Sequence, residues 1–300
     1  MTKSFSGKAV LHGVSFEVRK GSALGLLGRN GAGKTTSMRI IMDVFRANQG
    51  EILIDGKPFE PKKFQIGYLP EERGLYPKRL VSEQMIYLAK LRGLSTAQAK
   101  IQTKKWLKRL ELEEYENKKL ETLSKGNQQK VQLASTLVCD PDIIILDEPF
   151  SGLDPVNSQM LKDVVSEMIE QDKLVIFSSH QMSYVEEFCD QIAIIDAGKV
   201  ILSGRLRDIK KEYGKNRLLL AAENDSLDQV QAVIEKQLRE LVAVDGRTKE
   251  ALILSPKEGT DRKRILNALA NTDIVIEYFG MYAPSLNDIF VEATTSANNI

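Results

Sequence analysis

The sequence has little of several things that would each suggest a function. It holds two cysteines, Cys139 and Cys189, far apart in the chain and without metal-ligand spacing. A disulfide framework and a cysteine-based zinc site are therefore excluded, and a reduced compartment is expected. No apolar run approaches the ~20 residues that a membrane-spanning helix needs. The opening MTKSFSGKAV lacks the apolar centre of a signal peptide. The chain is expected to stay outside the bilayer, so any work at a membrane would need a second protein that crosses it. An excess of one charge is missing too: 42 Lys+Arg against 41 Asp+Glu leave a net charge of +1. That balance gives no electrostatic reason to expect nucleic acid as a partner. Long internal repeats and low-complexity tracts are absent. What remains is 300 residues, enough chain for two domains, each with a sizeable core.

The stretch Gly28 to Thr36, GRNGAGKTT, is the most informative. It fits G-x-x-x-x-G-K-[ST], with Gly28, Gly33, Lys34 and Thr35 at the fixed places. Ala23 to Leu27 is a continuous apolar run that predicts a buried strand leading in. Lys34 to Phe45 predicts a helix leading out, with Met38, Ile41, Met42 and Phe45 on one face. In that context glycines let successive backbone N–H groups turn inward, and the helix N-terminus adds partial positive charge, which together suit a phosphate. Lys34 can reach β- and γ-phosphates, and the Thr35 hydroxyl can ligate Mg²⁺.

Before this loop, residues 7–20 alternate Val14, Phe16 and Val18 with polar residues, a strand pattern. After it, Gly50 to Ile54 reads as a strand closed by an Asp55-Gly56 hairpin turn, and Gln65 to Leu69 as another. Strand signals stop from 71 to about 138. Ser82 to Leu91 and Thr96 to Leu110 predict helices, the second with a solvated face of Lys104, Lys105, Lys108 and Arg109. Ser124 is placed to cap a helix running through Val138. Three further apolar runs, Ile143 to Leu146, Leu174 to Phe177 and Ile192 to Ile195, alternate with helical stretches. They predict parallel strands covered on both faces, with polar residues at the C-terminal ends where such sheets place ligands. Beyond a short polar segment, strands and helices follow in the order β-α-β-β-α-β, a ferredoxin-like unit, and then a last helix over 285–292.

Asp147 and Glu148 follow the strand Ile143 to Leu146. One carboxylate at a strand end can hold Mg²⁺ while the next polarises water as a general base. With the phosphate loop, this pattern resembles the ATP-binding-cassette (ABC) ATPases. The resemblance spans residues 1 to about 205 and rests on segments in family order. These are GRNGAGKTT as Walker A, YLPEE at 68–72 as the Q-loop, LSKGN at 123–127 as the signature, IIILDEP at 143–149 as Walker B, SGLD at 151–154 as the D-loop, and His180 after FSS as the switch histidine.

The resemblance implies the following roles. Gly28, Asn30, Gly31, Gly33, Lys34, Thr35 and Thr36 hold the phosphates of ATP. Thr35 and Asp147 hold Mg²⁺, and Glu71 contacts metal and γ-phosphate. Glu148 is the general base, and His180 meets the γ-phosphate or the attacking water. Phe5 stacks on adenine. Ser124 and Gly126 complete the ATP site of a partner subunit, with Asp154 at the same interface. Three departures stand out. Glu71 replaces the family's glutamine. Lys125 and Asn127 replace Gly and Gln of the signature, and Lys125 brings a cation near the partner's γ-phosphate. An edge strand that the family usually carries ahead of Thr2–Phe5 is not in the sequence.

The expected fold is α/β: a P-loop NTPase domain of ABC type over 1–205, with a helical subdomain at 72–138. A linker at 206–216 and a small ferredoxin-like α+β domain at 217–300 follow. PEERGLYP, Pro70 to Pro77, and the C-terminal pattern resemble the ABC-2-type ATPases, including sodium- and drug-extrusion subunits. This implies an ATP-hydrolysing subunit that pairs with a second copy of itself and with an integral-membrane permease. It would lie on the cytoplasmic face of the cell membrane and drive export by ATP-dependent closure. Leu75, Tyr76, Leu80 and Tyr87 are candidates for the permease-facing groove. The alternatives are a non-transport ABC ATPase in translation or DNA maintenance, and a nucleotide-gated module without turnover. The single nucleotide domain and lack of basic excess argue against the first. Intact Glu148 and His180 argue against the second.

Overall fold

The computed structural model describes the chain except for Arg73, Ser151, Gly152, Asn224, Asn299 and Ile300. It divides into two compact units, Met1–Leu206 with Ala293–Ile300, and Arg207–Glu292.

The first unit opens with a hairpin of β1 (Thr2–Phe5) and β2 (Lys8–His12). Then come β3 (Ser22–Leu27), α1 (Lys34–Ile41) and a two-residue hairpin, β4 (Leu53–Ile54) and β5 (Lys57–Pro58). Asp55 and Gly56, both at positive φ, make its turn, as a primed hairpin turn requires. The chain continues through β6 (Ile66–Leu69), α2 (Val81–Leu91), α3 (Thr96–Arg109) and α4 (Lys125–Leu137). The remaining elements are β7 (Ile143–Asp147), α5 (Pro155–Glu170), β8 (Leu174–Ser178), α6 (Met182–Phe188), β9 (Cys189–Asp196) and β10 (Lys199–Arg205).

A six-stranded sheet runs β10-β9-β3-β8-β7-β6. All neighbours are parallel except β10, which pairs antiparallel with β9. The apolar runs in β3, β7, β8 and β9 make its core, because strands covered on both faces need no polar alternation. Leu24, Leu26, Ile143, Ile145, Ile176, Ala193 and Ile195 are buried with Met38 of α1. Parallel pairing has one consequence for function: β3, β6, β7 and β8 all end at the same edge of the sheet.

Four expectations about this unit are corrected. Of the strand expected over Gly50 to Ile54, only Leu53–Ile54 forms one. The helix predicted over Lys34 to Phe45 ends at Ile41. Asp43 turns left-handed at φ 57°. The bonds Asp43 N–H to Ile40 O (3.1 Å) and Val44 N–H to Arg39 O (3.0 Å) then close a Schellman stop. The segment 14–19 keeps the predicted alternation of burial, but it joins no strand ladder. Val14 is buried while Phe16 and Val18 lie partly buried on the core. Arg109 stays partly exposed, but its guanidinium is not free in solvent: it pairs with Glu167 of α5.

The second unit contains most of α7 (Leu206–Tyr213), then β11 (Leu218–Ala222), α8 (Leu227–Gln237), β12 (Val242–Arg247) and β13 (Leu252–Pro256). It ends with α9 (Arg262–Leu269), β14 (Ile276–Met281) and the start of α10 (Leu286–Asn298). The stretch 206–216, expected as a linker, is therefore largely helical. The sheet order is β12-β13-β11-β14, antiparallel throughout. This is the ferredoxin-like arrangement. Leu218 and Leu220 of β11 pack with Val230 and Ile234 of α8 and Ile265 and Leu269 of α9.

Candidate functional site

The loop between β3 and α1 shows why glycine is needed in it. Gly28 sits at φ 155°, and a Cβ there would stand 2.3 Å from the Ile195 carbonyl oxygen. Gly33 caps α1 in the left-handed region at φ 112°, and a Cβ on it would meet Leu11 at 2.6 Å. No side chain caps α1, and no acidic residue occupies its first turn. Its opening N–H groups and dipole are left to an anion. Lys34 folds back over the loop, donating from Nζ to Gly28 O at 2.6 Å and Arg29 O at 3.3 Å. Burial pulls the Lys34 ammonium below the usual lysine value. The charges of Glu148, Asp147 and Glu71 act in the opposite direction.

At the end of β7, Asp147 is 5% exposed. Ser178 of β8 donates to its Oδ1, and the Tyr68 hydroxyl of β6 lies 3.4 Å from its Oδ2. Burial, then Asp147, push the Tyr68 phenol up to about 12, so it stays a donor. Glu148 adopts φ 51°, a strained backbone for a residue with a side chain. Its N–H reaches Ser178 O at 3.0 Å. Its carboxylate is 8% exposed as part of the residue. It accepts from Ser179 Oγ at 3.2 Å and His180 N–H at 2.7 Å, and His180 Nδ1 lies 2.8 Å from Oε2. The dyad is thus built from two adjacent strand ends, and the rest of the imidazole faces outward.

Asp147 and the Thr35 hydroxyl fit a hard cation. Mg²⁺ takes oxygen ligands and is typically held by one or two carboxylates plus substrate phosphates. No group of three or more His, Cys, Asp or Glu residues arranged to hold a metal ion occurs among the described residues.

Ser124 caps α4, its hydroxyl accepting from Asn127 N–H at 3.2 Å. Lys125 is exposed and Gly126 buried. A Cβ on Gly126 would sit 2.6 Å from Asn157 Nδ2. That amide donates to Asp154 Oδ2 at 2.5 Å, and Asp154 caps α5 through Val156 and Asn157 N–H. These bonds hold the Asp154 carboxyl below its ordinary value. Asn157, unmarked in the sequence, thus joins the signature to Asp154. Of the D-loop motif, Ser151 and Gly152 lie outside the described residues. Phe5 is 42% exposed and sits edge-to-face on Phe45, with Lys3 above both rings. Tyr76 and Tyr87 are each 52% exposed, whereas Leu75 and Leu80 are half-buried.

Comparison with known proteins identifies the family. Residues 11–151 match the family described as ABC transporter, and residues 204–294 match the ATP-binding protein DrrA1-3-like C-terminal domain. The uncharacterized ABC transporter ATP-binding protein YhaQ of Bacillus subtilis is 39% identical over 305 residues, covering 97% of this chain and 96% of that one. The linearmycin resistance ATP-binding protein LnrL of the same organism is 33% identical, covering 72% of this chain and 71% of LnrL. A solved ATP-binding subunit of an ABC transporter superposes with a TM-score of 0.64 at 29% identity, covering 78% of this chain and 96% of that one. The chain belongs to the ABC transporter ATP-binding proteins, and it is a transport ATPase of that family.

Proposed function

We propose that this ATPase powers export through a separate integral-membrane permease, as a pair of identical chains on the cytoplasmic face of the membrane. In this reading residues 1–205 are the catalytic cassette, and the accessory domain expected over 217–300 ends at Glu292, since Ala293–Ile300 group with the first unit. The observation that carries it is the division of chemistry within the first unit. Lys34, Asp147, Glu148 and His180 gather at one edge of the sheet. Ser124 instead starts a helix in the helical part, where its hydroxyl bonds within α4. A second copy would bring Ser124 and Gly126 to the phosphates of the first. Asn30, Gly31, Gly33 and Thr36 would bind phosphate with Lys34, Phe5 would meet adenine, and Mg²⁺ would be held by Thr35 and Asp147. When bound, the ion would offset phosphate charge. Glu148, turned by its backbone toward Ser179 and His180, would take the proton from the attacking water. No helix among the described residues is long and apolar enough to cross a membrane, which is why the reading needs a permease. The exposed Tyr76 and Tyr87 are the surface offered to it. Export is supported by the printed name of LnrL, a resistance protein, and by the DrrA-like C-terminal match.

The test is phosphate release by the chain alone and with the permease that co-purifies from membranes, followed by cargo movement in sealed vesicles. Stimulation by the permease with ATP-dependent movement out of the cytoplasmic side supports the reading. A chain that hydrolyses ATP but captures no membrane protein returns the non-transport alternative. Within the same assay Glu71→Gln should keep transport, because the amide still offers an oxygen ligand. Glu71→Ala should uncouple hydrolysis from transport. Equal and unimpaired transport in both would make Glu71 a bystander.

A further inference from the structure

Strand β6 is at the edge of the sheet, so one side of its backbone has no strand partner. Its inward carbonyls bond β7. Its outward carbonyls occur at every second residue, as strand geometry requires. The helical part fills them one after another. Arg92, just past α2, donates from Nη1 to Ile66 O at 3.0 Å. The Thr136 hydroxyl of α4 lies 3.2 Å from Tyr68 O while also reaching Gln132 O at 3.0 Å. The Gln132 amide, one turn earlier on the same helix, donates from Nε2 to Pro70 O at 3.1 Å and Glu72 O at 3.4 Å. Residues 66, 68, 70 and 72 are therefore gripped in sequence by side chains of the helical part, and Gln132 straddles Glu71.

This arrangement is more than edge cover. Gln132 is 4% exposed, and a buried amide is expensive to place without partners. Here its partners lie beyond the end of β6, where the strand has already become loop. The loop is the part that would shift when Glu71 meets a nucleotide. A bond to each side of Glu71 makes the loop backbone and α4 move together. The N-terminus of that helix carries Ser124. Gln129, on the same helix, donates to Pro149 O at 3.0 Å, so α4 also touches the chain just after Glu148.

We propose that Gln132 is a positioning residue that couples the Glu71 loop to α4, so that nucleotide sensed beside Lys34 sets the orientation of the signature helix. The proposal rests on Glu71 acting as the nucleotide-sensing residue, as proposed above. It assigns the mechanical link to a side chain outside every motif read from the sequence.

The test uses the full chain with Gln132→Met, which keeps length and apolar volume but removes the donors. Trp106, the only tryptophan in the sequence, supplies the readout. It lines a cleft of about 640 Å³ with Glu167 and Met168, between α3 and α5, so its emission reports the helical part against the core. Nucleotide affinity is measured with Mg-AMPPNP, a non-hydrolysed analogue, on protein dilute enough to scatter light as a monomer. Gln132→Met is expected to bind the analogue as the parent does while losing the Trp106 response. Its ATPase should fall about 2- to 30-fold, the range for removing a residue that carries coupling between sites. Combined with Glu71→Ala, it should be no slower than the slower single variant, because two members of one linkage are not additive. An intact Trp106 response in Gln132→Met overturns the proposal. So do rates that multiply in the double variant, or a parent whose Trp106 never responds. A silent Glu71→Ala beside a lost response in Gln132→Met overturns the sensing role of Glu71 and keeps the link to the loop backbone. If Gln132→Met does not fold, Gln132→Asn replaces it. One methylene shorter, it cannot span both carbonyls, and the same outcomes apply.

Discussion

Replacing Glu148 by glutamine should leave ATP binding intact and lower steady-state hydrolysis by ~10²–10⁴-fold, the usual worth of a positioned general base. That corresponds to about 3–5 kcal/mol of lost transition-state stabilisation. The substitution is informative because the surroundings of Glu148 accept it. One carboxylate oxygen meets the His180 N–H, and an amide oxygen can do the same. The other lies beside Ser179 Oγ and His180 Nδ1, each of which can also accept from an amide. Size and backbone strain are unchanged, so only basicity is lost. Phosphate release and equilibrium nucleotide binding, measured on the same preparation, separate the two effects. A variant that turns over at near parent rate would remove Glu148 from the role of base. One that neither binds nor hydrolyses would point to a structural role for the bond to His180.

The second large effect is expected from chains that are each inactive. Lys34→Ala removes the cation over the phosphate loop. Ser124→Arg puts a bulky side chain at the N-terminus of α4, where N–H groups and the helix dipole would otherwise meet an anion. In the proposed twofold pair, which would build each site from two chains, each homodimer would then lack one half of both sites. A mixed dimer would hold one site with both halves intact. Mixing should therefore regain part of the parent hydrolysis from two preparations that show almost none. The supporting measurement is light scattering of Glu148→Gln with Mg-ATP, which should shift from monomer to dimer, since ATP held between two chains acts as an adhesive. A Glu148→Gln protein that stays monomeric at saturating Mg-ATP, with and without permease, would exclude the shared-site reading.

The parts of this site that were legible in the sequence are those in which neighbours in the chain are neighbours in space. The phosphate loop needs glycines at fixed offsets from a helix start, and the offsets are visible. Asp147, Glu148 and His180 follow apolar runs, and a run ending in polar residues marks a strand end. Ser124 could be read as a cap because capping is local. Tyr68, Asn157 and Gln132 carried no such mark. Gln132 reaches carbonyls 62 and 60 residues away in the chain, and Tyr68 reaches a carboxylate 79 residues away. Only the order of strands in the sheet decides those meetings. Two local readings also failed for physical reasons. The apolar face over Met38 to Phe45 continues past the helix, because Phe45 packs on the core after the chain has turned at Asp43. In 14–19 the side-chain alternation is real, yet alternation records which face is buried and carries no information about a hydrogen-bond partner. In the second unit the order of elements was enough. Alternating strands and helices with short turns leave few ways to cover one face of a four-stranded sheet, and the ferredoxin-like order is one of them.

The side chains that occupy the outer carbonyls of β6 also bear on solubility. A bare sheet edge is a template for foreign strands, and proteins commonly blunt it with charge, proline or a bulge. Here the guard is Arg92, just past α2, on Ile66 O and Thr136 of α4 on Tyr68 O, the second carried by the helix that the nucleotide is proposed to move. Any state in which that helix swung away would bare part of the edge for as long as it lasted. The chain would then be open to mispairing during its working cycle, not only while it folds. Tight seating of α4 on β6 would limit self-association between turnovers.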